Sequence, residues 1–359
     1  MNNYVPFLKI KVNEIGALGA LSGEVKKFVT PFFDLPKQKD GANKDAFIAL
    51  VDKAARSVER NLGVGYTFFL DNFDIDDALH INGKNNYAYV MESFKNLSFI
   101  PVIGLDRTDE RNKLVFQYKA SGIISANVVA IRLLAEDFLS FDLVRDEIFD
   151  LIELGEGLFH HWILVLDNRV CANVDAATRA GQIVHFVKES MAAFGFDDII
   201  VTGSSIPASI KDLLEVESEG TYERIELEIY ESASKHLSGT SLTLGDYTIV
   251  SPLYSEFKIP PAAMRNIMTP KIFYSHANVH YVARGGALKT HARGDLQYND
   301  IAAHLIGQPF YRGPEYSFGS LFLFQKAHGQ GKKVTPSSIL KPTINAHMTF
   351  MVRDYLSLL

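Results

Sequence analysis

The sequence has one cysteine, one tryptophan and no apolar stretch long enough to cross a bilayer. A single cysteine, Cys171, excludes an internal disulfide and is typical of a reducing compartment. A membrane-spanning helix needs about 20 consecutive apolar residues, and no run approaches that length. The segment Met1–Pro6 carries neither a basic nor an apolar region, so no secretory signal is expected. These absences predict a cytoplasmic protein without a membrane segment.

An excess of positive charge is also absent, because the 359 residues carry a formal net charge of −6. A chain of this sign is not drawn as a whole to nucleic acid or to an anionic membrane. Nucleic-acid contact is left to local patches, such as the one formed by Lys289, His291 and Arg293. Solvated surface is the alternative interpretation of that patch.

The sequence does contain a series of short apolar runs, most of them ending at a polar residue and separated by helix-length segments. Strands that are apolar on both faces and alternate with helices are typical of a parallel sheet. Eight such units predict an α/β fold, a (β/α)8 TIM-like barrel with reactive residues at the carboxyl ends of its strands. The predicted strands are Tyr4–Lys11, Val29–Leu35, Tyr66–Asp71, Phe99–Asp106, Val128–Arg132, Trp162–Asp167, Ile199–Ser204 and Asp246–Ser251.

After residue 255 the pattern changes, which predicts a barrel over residues 1–255 and a C-terminal α+β extension over residues 256–359. Prolines punctuate a connector at Pro260 and Pro261, and Lys271–His276 and Val279–Arg284 alternate like a hairpin. Helices are expected in the rest of this extension. They are Tyr298–Ile306, Ser320–Ala327 and His347–Leu358.

Three carboxylates at predicted strand ends, Asp34, Asp71 and Asp167, are the candidate catalytic residues. Converging carboxylates bind a divalent cation such as Mg²⁺ or divide acid and base roles. Asp71 and Asp167 are the stronger candidates, because each lies in a repeated Leu-Asp-Asn motif. The alternative is that each aspartate caps the helix that follows it.

Lys9 and Arg132 are cations inside apolar runs, where a charge is costly unless it is paired. At the barrel mouth they would grip an anionic group such as phosphate; the alternative is a structural ion pair with Asp34 or Asp71. Ser204 and Asp246 are further candidate substrate-binding residues, with a plain turn as the alternative for Ser204. The loop 74–86 is long enough to act as a lid.

Histidines and the cysteine offer weaker signals of chemistry. His276 and His280 have a spacing seen in zinc sites, but no cysteine pair accompanies them and their segment is predicted to be strand and turn. Cys171 has no adjacent histidine, which disfavours a catalytic thiol.

Segments spread in order along nearly the whole chain form one further pattern. They are Tyr4-Val5-Pro6-Phe7-Leu8-Lys9, Thr30-Pro31-Phe32-Phe33-Asp34, Gly203-x-Ser205-x-Pro207, Gly245-Asp246-Tyr247, Arg312-Gly313-Pro314-x2-Ser317-x-Gly319 and His347-x-Thr349. The pattern resembles the bacterial and phage Beta protein family. The resemblance implies a barrel-like domain and a setting in mobile or antiphage-defence loci, sometimes beside a nuclease gene. It also groups Arg312, Ser317 and His347 as a tail motif whose side chains are expected to converge.

Two functions follow as hypotheses. The first is a defence-associated sensor or scaffold that acts through a protein partner encoded nearby, such as a nuclease. The alternative is a metal-dependent hydrolase or phosphodiesterase acting on a phosphorylated or nucleotide substrate at the barrel rim. Under the alternative, Asp167→Asn is expected to abolish activity at little cost in stability, since a functional carboxylate is rarely well paired.

Overall fold

A computed structural model describes residues 4–38, 43–254 and 266–357, and it contains a closed barrel of eight parallel strands. This confirms the predicted TIM-like architecture. In chain order the barrel strands are β1 (Tyr4–Lys9), β2 (Phe32–Asp34), β3 (Phe68–Asp71), β6 (Phe99–Gly104), β7 (Val128–Leu134), β8 (His161–Val170), β9 (Asp198–Ser204) and β11 (Leu242–Asp246). Around the barrel, neighbouring strands follow the order β1-β11-β9-β8-β7-β6-β3-β2.

Helices follow most of these strands and cover the outside of the barrel. They are α1 (Val12–Gly19), α2 (Gly23–Lys26), α3 (Lys44–Leu62), α4 (Asn86–Phe94), α5 (Asp109–Ala120), α6 (Phe141–Leu154), α7 (Ala176–Phe194) and α8 (Ile225–His236). Asn43 caps α3, because its side chain accepts a hydrogen bond from the Ala46 amide at 2.9 Å.

Side chains alternate along each strand between the barrel interior and the helix layer. In β1, Val5 and Phe7 point inward and pack with Phe32, Phe69 and interior side chains of the other strands. Tyr4 and Leu8 belong instead to the larger core between the strands and the helices. The barrel interior is therefore apolar below the mouth. The chemistry of the mouth depends on the last inward-facing residue of each strand, at its carboxyl end.

Strand eight differs from its prediction. The structure ends β11 at Asp246, whereas the sequence had placed the strand at Asp246–Ser251. Leu242, Thr243 and Leu244 pair with β9, and the apolar residues after Asp246 lie in the loop that follows. The apolar segment Ile249-Val250 gave the misleading signal.

The segment Ser218–Glu223 forms a further strand, β10, and it joins the C-terminal sheet. That antiparallel sheet has the order β10-β13-β12, with β12 at Lys271–His276 and β13 at Val279–Arg284 as the predicted hairpin. The predicted boundary at residue 255 and the connector at Pro260 and Pro261 lie outside the described residues.

Three helices, Gln297–Ile306, Phe318–Ala327 and Leu340–Phe350, complete the described C-terminal region. The last begins seven residues before His347, where the sequence had started it, and it packs against α1. Asn345 holds this contact, because its side chain donates to the Ala17 carbonyl at 3.1 Å and accepts from the Gly319 amide at 3.0 Å. A Cβ at Gly319 would lie 2.0 Å from the Pro342 carbonyl oxygen, so only glycine fits.

A small hairpin fills the loop between β3 and α4, with β4 at His80–Ile81 and β5 at Lys84–Asn85. It is the region predicted as a lid. The Asp77 carboxylate accepts from the Thr108 amide at 2.9 Å, and the Asn85 amide donates to Glu110 at 3.0 Å. The loop is tied to α5 at both points. In the described part of the chain, no helix is both long and apolar enough to cross a bilayer.

Candidate functional site

The uppermost inward positions of the barrel are polar, and they meet at the carboxyl ends of the strands. All but Tyr247, which follows the end of β11, come two positions after an inward apolar residue, as Asp34 follows Phe32 and Arg132 follows Ala130. This spacing turns the side chain into the mouth. The members of this mouth cluster are Lys9, Asp34, Asp71, Arg132, Asp167 and Tyr247.

Arg132 lies at the centre of the mouth cluster and is fully buried. Its Nη1 lies 2.9 Å from Asp34 and 2.8 Å from Asp71, while its Nη2 lies 2.7 Å from Asp167. The hydroxyl of Tyr247 donates to the same Asp167 oxygen at 2.6 Å. One guanidinium therefore joins all three predicted catalytic carboxylates.

Asp71 has further cationic partners that the sequence analysis did not identify. Arg107, in the loop after β6, lies 2.9 Å from one carboxylate oxygen, and Arg111, in α5, lies 2.6 Å from the other. Burial alone would raise the pKa of Asp71, but Arg107, Arg111 and Arg132 hold it well below its ordinary value. Asp71 is thus a permanently charged structural partner.

Lys9 pairs with Asp34 at 3.0 Å and also with Asp74 from the loop after β3. Burial lowers the pKa of Lys9, but Asp34 and Asp74 outweigh it and raise the pKa above its ordinary value. For Lys9 and Arg132, the structure shows the ion-paired arrangement that was the alternative to a phosphate grip.

Phe73 and Arg169 form the top of the mouth cluster. Each immediately follows a Leu-Asp-Asn motif, after β3 and within β8, and the Arg169 guanidinium lies 4.4 Å from the centre of the Phe73 ring. Arg132 stacks on that ring at the same distance. The repeated Leu-Asp-Asn motif marks the neighbourhood of this contact in the sequence, and the residue that follows each copy makes the contact.

Arg169 has a left-handed backbone with φ of 51°, at a register shift between β8 and β9. A non-glycine residue in this region is strained, and such strain is concentrated at functional sites. The Asp167 carboxylate stabilises the conformation by accepting from the Arg169 amide at 2.8 Å. The bulge aims Arg169 across the mouth, where it donates to the Tyr247 hydroxyl at 3.3 Å.

Above the cluster lies an open pocket of about 680 Å³. Arg169 and Lys37 bring positive charge to its wall, and Phe73 and Tyr254 bring aromatic surface. Asp76 and Asp212 stand at the same pocket as exposed carboxylates. The pocket thus offers cations, aromatic rings and hydrogen-bond acceptors to a ligand, and Phe73 and Arg169 connect its wall to the mouth cluster.

Two predicted substrate-binding residues lie away from this pocket. Ser204 braces its own loop, accepting from the Ile206 amide at 3.1 Å and donating to the Val250 carbonyl at 3.3 Å. Asp246 lies at a position of β11 whose side chain faces away from the barrel interior. Its carboxylate therefore points into the helix layer. Neither of these candidate substrate-binding residues lines the pocket above the mouth cluster.

Asp246 connects the barrel to the C-terminal region. It accepts hydrogen bonds from the Tyr4 hydroxyl at 2.6 Å and from Arg224 at 2.5 Å, and it lies 3.0 Å from Nε2 of His347. The other ring nitrogen of His347 lies 2.6 Å from the Ser275 hydroxyl. All these side chains are buried. This anchor cluster of Tyr4, Arg224, Asp246, Ser275 and His347 holds the tail helix, Leu340–Phe350, against the barrel.

The three tail-motif residues meet only in part. Arg312 donates to the Ser275 carbonyl at 3.2 Å and stacks 4.6 Å from the Phe350 ring, so Arg312 and His347 share Ser275 as a partner. Ser317 instead caps the helix Phe318–Ala327, accepting from the Ser320 amide at 2.9 Å. The motif is accounted for by packing and capping within the C-terminal region.

The mouth carboxylates do not fit a divalent cation. Arg132 stands between Asp34, Asp71 and Asp167, and it occupies the oxygens that a metal would need. Among residues 4–38, 43–254 and 266–357, no group of three or more His, Cys, Asp and Glu side chains is arranged to hold a metal ion. His276, which has a spacing seen in zinc sites, stacks on Phe310 with ring centres 4.0 Å apart. Burial raises the pKa of the Cys171 thiol, which disfavours the reactive thiolate form.

Fold and site together define a TIM-like barrel with an α+β extension, whose mouth is closed by a buried arginine–carboxylate cluster. The model of the Beta protein family matches residues 4–353, nearly the whole chain. The chain belongs to the Beta protein family, as the sequence motifs predicted. A search of curated proteins gave no match to this chain.

Proposed function

We propose that this protein is a sensor or scaffold of mobile-element or antiphage-defence loci that binds a phosphate-bearing small ligand at the barrel mouth and acts through a protein partner. The observation that carries the proposal is the engagement of all three rim carboxylates by Arg132. The family membership supports the setting, because the resemblance to this family implies mobile or antiphage-defence loci.

The ion pairing favours recognition over hydrolysis. A general base must accept a proton near neutral pH and reach its substrate. Asp34 and Asp71 are both buried. Burial would raise the pKa of Asp34, but Arg132 and Lys9 lower it below its ordinary value. Arg107, Arg111 and Arg132 do the same for the pKa of Asp71. Asp167 is equally buried beneath Phe73 and Arg169. This arrangement supports a rigid ion-paired base that positions Phe73 and Arg169 for binding.

The pocket above supplies the chemistry of a nucleotide-like ligand. Arg169 uses two of its N–H groups on the Tyr247 hydroxyl and the Pro252 carbonyl, at 3.3 and 3.1 Å, and the guanidinium has five N–H donors in all. Its remaining donors, with the exposed Lys37, suit a phosphate. Asp76 and Asp212 suit the hydroxyl or amine donors of the same ligand.

Calorimetric titration of the full chain with inorganic phosphate and with nucleoside mono-, di- and triphosphates tests the ligand. Arg169→Gln and Lys37→Gln should each weaken binding at least about tenfold, since a charge-assisted hydrogen bond contributes roughly 1.5–3 kcal/mol. Arg145→Gln is the matched control, because Arg145 is exposed and pairs only with Asp146 among the described residues. Equal affinity in all three variants would refute the mouth as the binding site.

A phage-challenge assay with co-purification of the neighbouring gene product tests the sensor role. Arg169→Gln should abolish protection while the partner still co-purifies, whereas Arg145→Gln should protect normally. A magnesium-dependent hydrolysis of a nucleotide by the purified chain, lost in Asp167→Asn at an unchanged melting temperature, would support the hydrolase alternative and overturn the proposal.

A further inference from the structure

A second cavity, of about 490 Å³, lies between the barrel loops after β9 and β11 and the C-terminal region. We propose that this cavity binds an amphiphilic anion, with its acidic head between Lys271 and Arg284 and its apolar body against the barrel loops. The inference is independent of the mouth pocket, although the two share Ala208, Ser209 and Leu253 at their borders.

The cationic head site follows from the strand register. Lys271 in β12 and Arg284 in β13 are direct partners in the antiparallel ladder, and both line the cavity. Like charges directly opposite one another destabilise a sheet. Such a pair facing one cavity is the arrangement that a bound anion would relieve.

Carboxylates do not neutralise this pair in the described structure. Arg284 donates to the Thr269 hydroxyl at 3.0 Å and to the Leu214 carbonyl, both uncharged partners. Among the described residues, no carboxylate forms an ion pair with Lys271 or Arg284, and Glu215 raises the pKa of Arg284 only from a longer distance, against the larger lowering by burial. Burial and the proximity of Arg284 lower the pKa of Lys271, which is the mark of a cation without a counter-charge.

The rest of the cavity is largely apolar. Ile206 and Ile249 come from the barrel loops, Phe273 from β12, and Ile339 and Leu340 from the start of the tail helix. A volume of this order holds a small molecule, and pockets of this type combine an apolar wall with a few fixed polar groups. The combination excludes a bare inorganic anion as the best ligand and favours one with an apolar chain.

Calorimetry with decanoate, decyl phosphate and decan-1-ol, below their micelle concentrations, tests the proposal on the full chain. The parent protein should bind at least one of the two anions about tenfold or more tightly than the neutral alcohol, and the stronger anion identifies the head group. This comparison needs no variant. Equal affinity for decan-1-ol and both anions, or no binding of any of the three, would overturn the proposal.

Variants then locate the site. Lys271→Met should weaken binding of the preferred anion about tenfold or more and leave decan-1-ol unchanged, while the exposed control Lys188→Met should match the parent. For decanoate, which carries no phosphate for the mouth to bind, Arg169→Gln should also match the parent, and this separates the cavity from the mouth. Undiminished anion binding by folded Lys271→Met, verified by its melting temperature, would contradict the head-group assignment.

Discussion

Two groups of cations differ in whether nearby carboxylates balance their charge. One is the mouth cluster, and the other is the cavity pair, Lys271 with Arg284. At the mouth, Arg132 contacts three carboxylates within 3 Å. In the cavity, Lys271 and Arg284 face each other across a strand ladder, no described carboxylate forms an ion pair with them, and Glu215 acts on Arg284 only from a longer distance. The cations at the barrel mouth therefore have carboxylate partners within the barrel, whereas the two cations at the junction with the C-terminal region have no ion-pair partner among the described residues.

This difference separates structural from ligand-directed charge. Removing one member of a balanced buried ion pair leaves an uncompensated charge and typically costs 3–5 kcal/mol. Removing a buried cation that has no counter-charge relieves desolvation and repulsion instead. The two regions should therefore respond to substitution with opposite sign, and four variants test that contrast.

The largest effect is expected for Arg132→Met. The substitution keeps most of the volume but leaves Asp34, Asp71 and Asp167 without their common partner, so the free energy of unfolding should fall by roughly 3–5 kcal/mol. Urea denaturation followed by the fluorescence of the single tryptophan, Trp162, measures it. Arg145→Met is the exposed control, and a loss below about 1 kcal/mol at Arg132 would show that the cluster is not structural.

Glu14→Gln tests a buried carboxylate whose charge is less fully balanced by neighbouring cations than the carboxylates of the mouth cluster. Glu14 accepts the Lys9 amide at 2.5 Å, and burial raises its pKa from an ordinary value near 4.5 to about 7. Because the folded state holds the proton more tightly, its contribution to stability is complete below pH 4.5 and is lost as the pH rises through 7. A shift of this size corresponds to at most about 3 kcal/mol.

The measurement compares the free energy of unfolding of parent and Glu14→Gln at pH 5 and pH 8. Glutamine keeps an oxygen acceptor for the Lys9 amide and cannot ionise, so the variant should lose less stability between these pH values than the parent. Parallel pH profiles for the two proteins would show that Glu14 does not titrate in this range.

Asp167→Asn should have an intermediate effect, about 2 kcal/mol of lost stability. Asparagine removes one of three negative partners of Arg132 and weakens the bond from Tyr247, while Asp34 and Asp71 remain. The sequence had suggested a small cost for this change, and the observed pairing argues against it. An unchanged denaturation midpoint with full phage protection would show that neither stability nor function depends on the charge.

The barrel was predictable because both faces of its strands are buried, which makes each strand an apolar run ending at a polar residue. Asp34, Asp71, Arg132 and Asp167 were found by that rule. Strand β10 was not, because its sequence Ser-Glu-Gly-Thr-Tyr-Glu lies at a sheet edge and alternates between partly buried and exposed positions without an apolar signal.

The partners of the predicted residues could not be obtained from the sequence. Arg107 and Arg111 reach Asp71 from a loop and a helix that follow a different strand, and only the closed barrel brings them together. Asp246 looked like a rim residue, but its outward direction depends on the register of β11 in the barrel, and a register shift of one residue would reverse the face. Pairing and orientation are properties of the tertiary structure.

The smallest effect, and the only gain, is expected for Lys271→Met. The substitution removes a partly buried cation opposite Arg284 and adds apolar surface to a largely apolar cavity, so the free energy of unfolding should rise by about 0.5–1 kcal/mol. Urea denaturation of parent, Lys271→Met and the exposed control Lys188→Met, each without ligand, measures it. Saturating decanoate should reverse the order, because the parent gains binding energy that the variant lacks. A clear loss of stability in the ligand-free variant would mean that Lys271 is already compensated, and the contrast between the two regions would then fail.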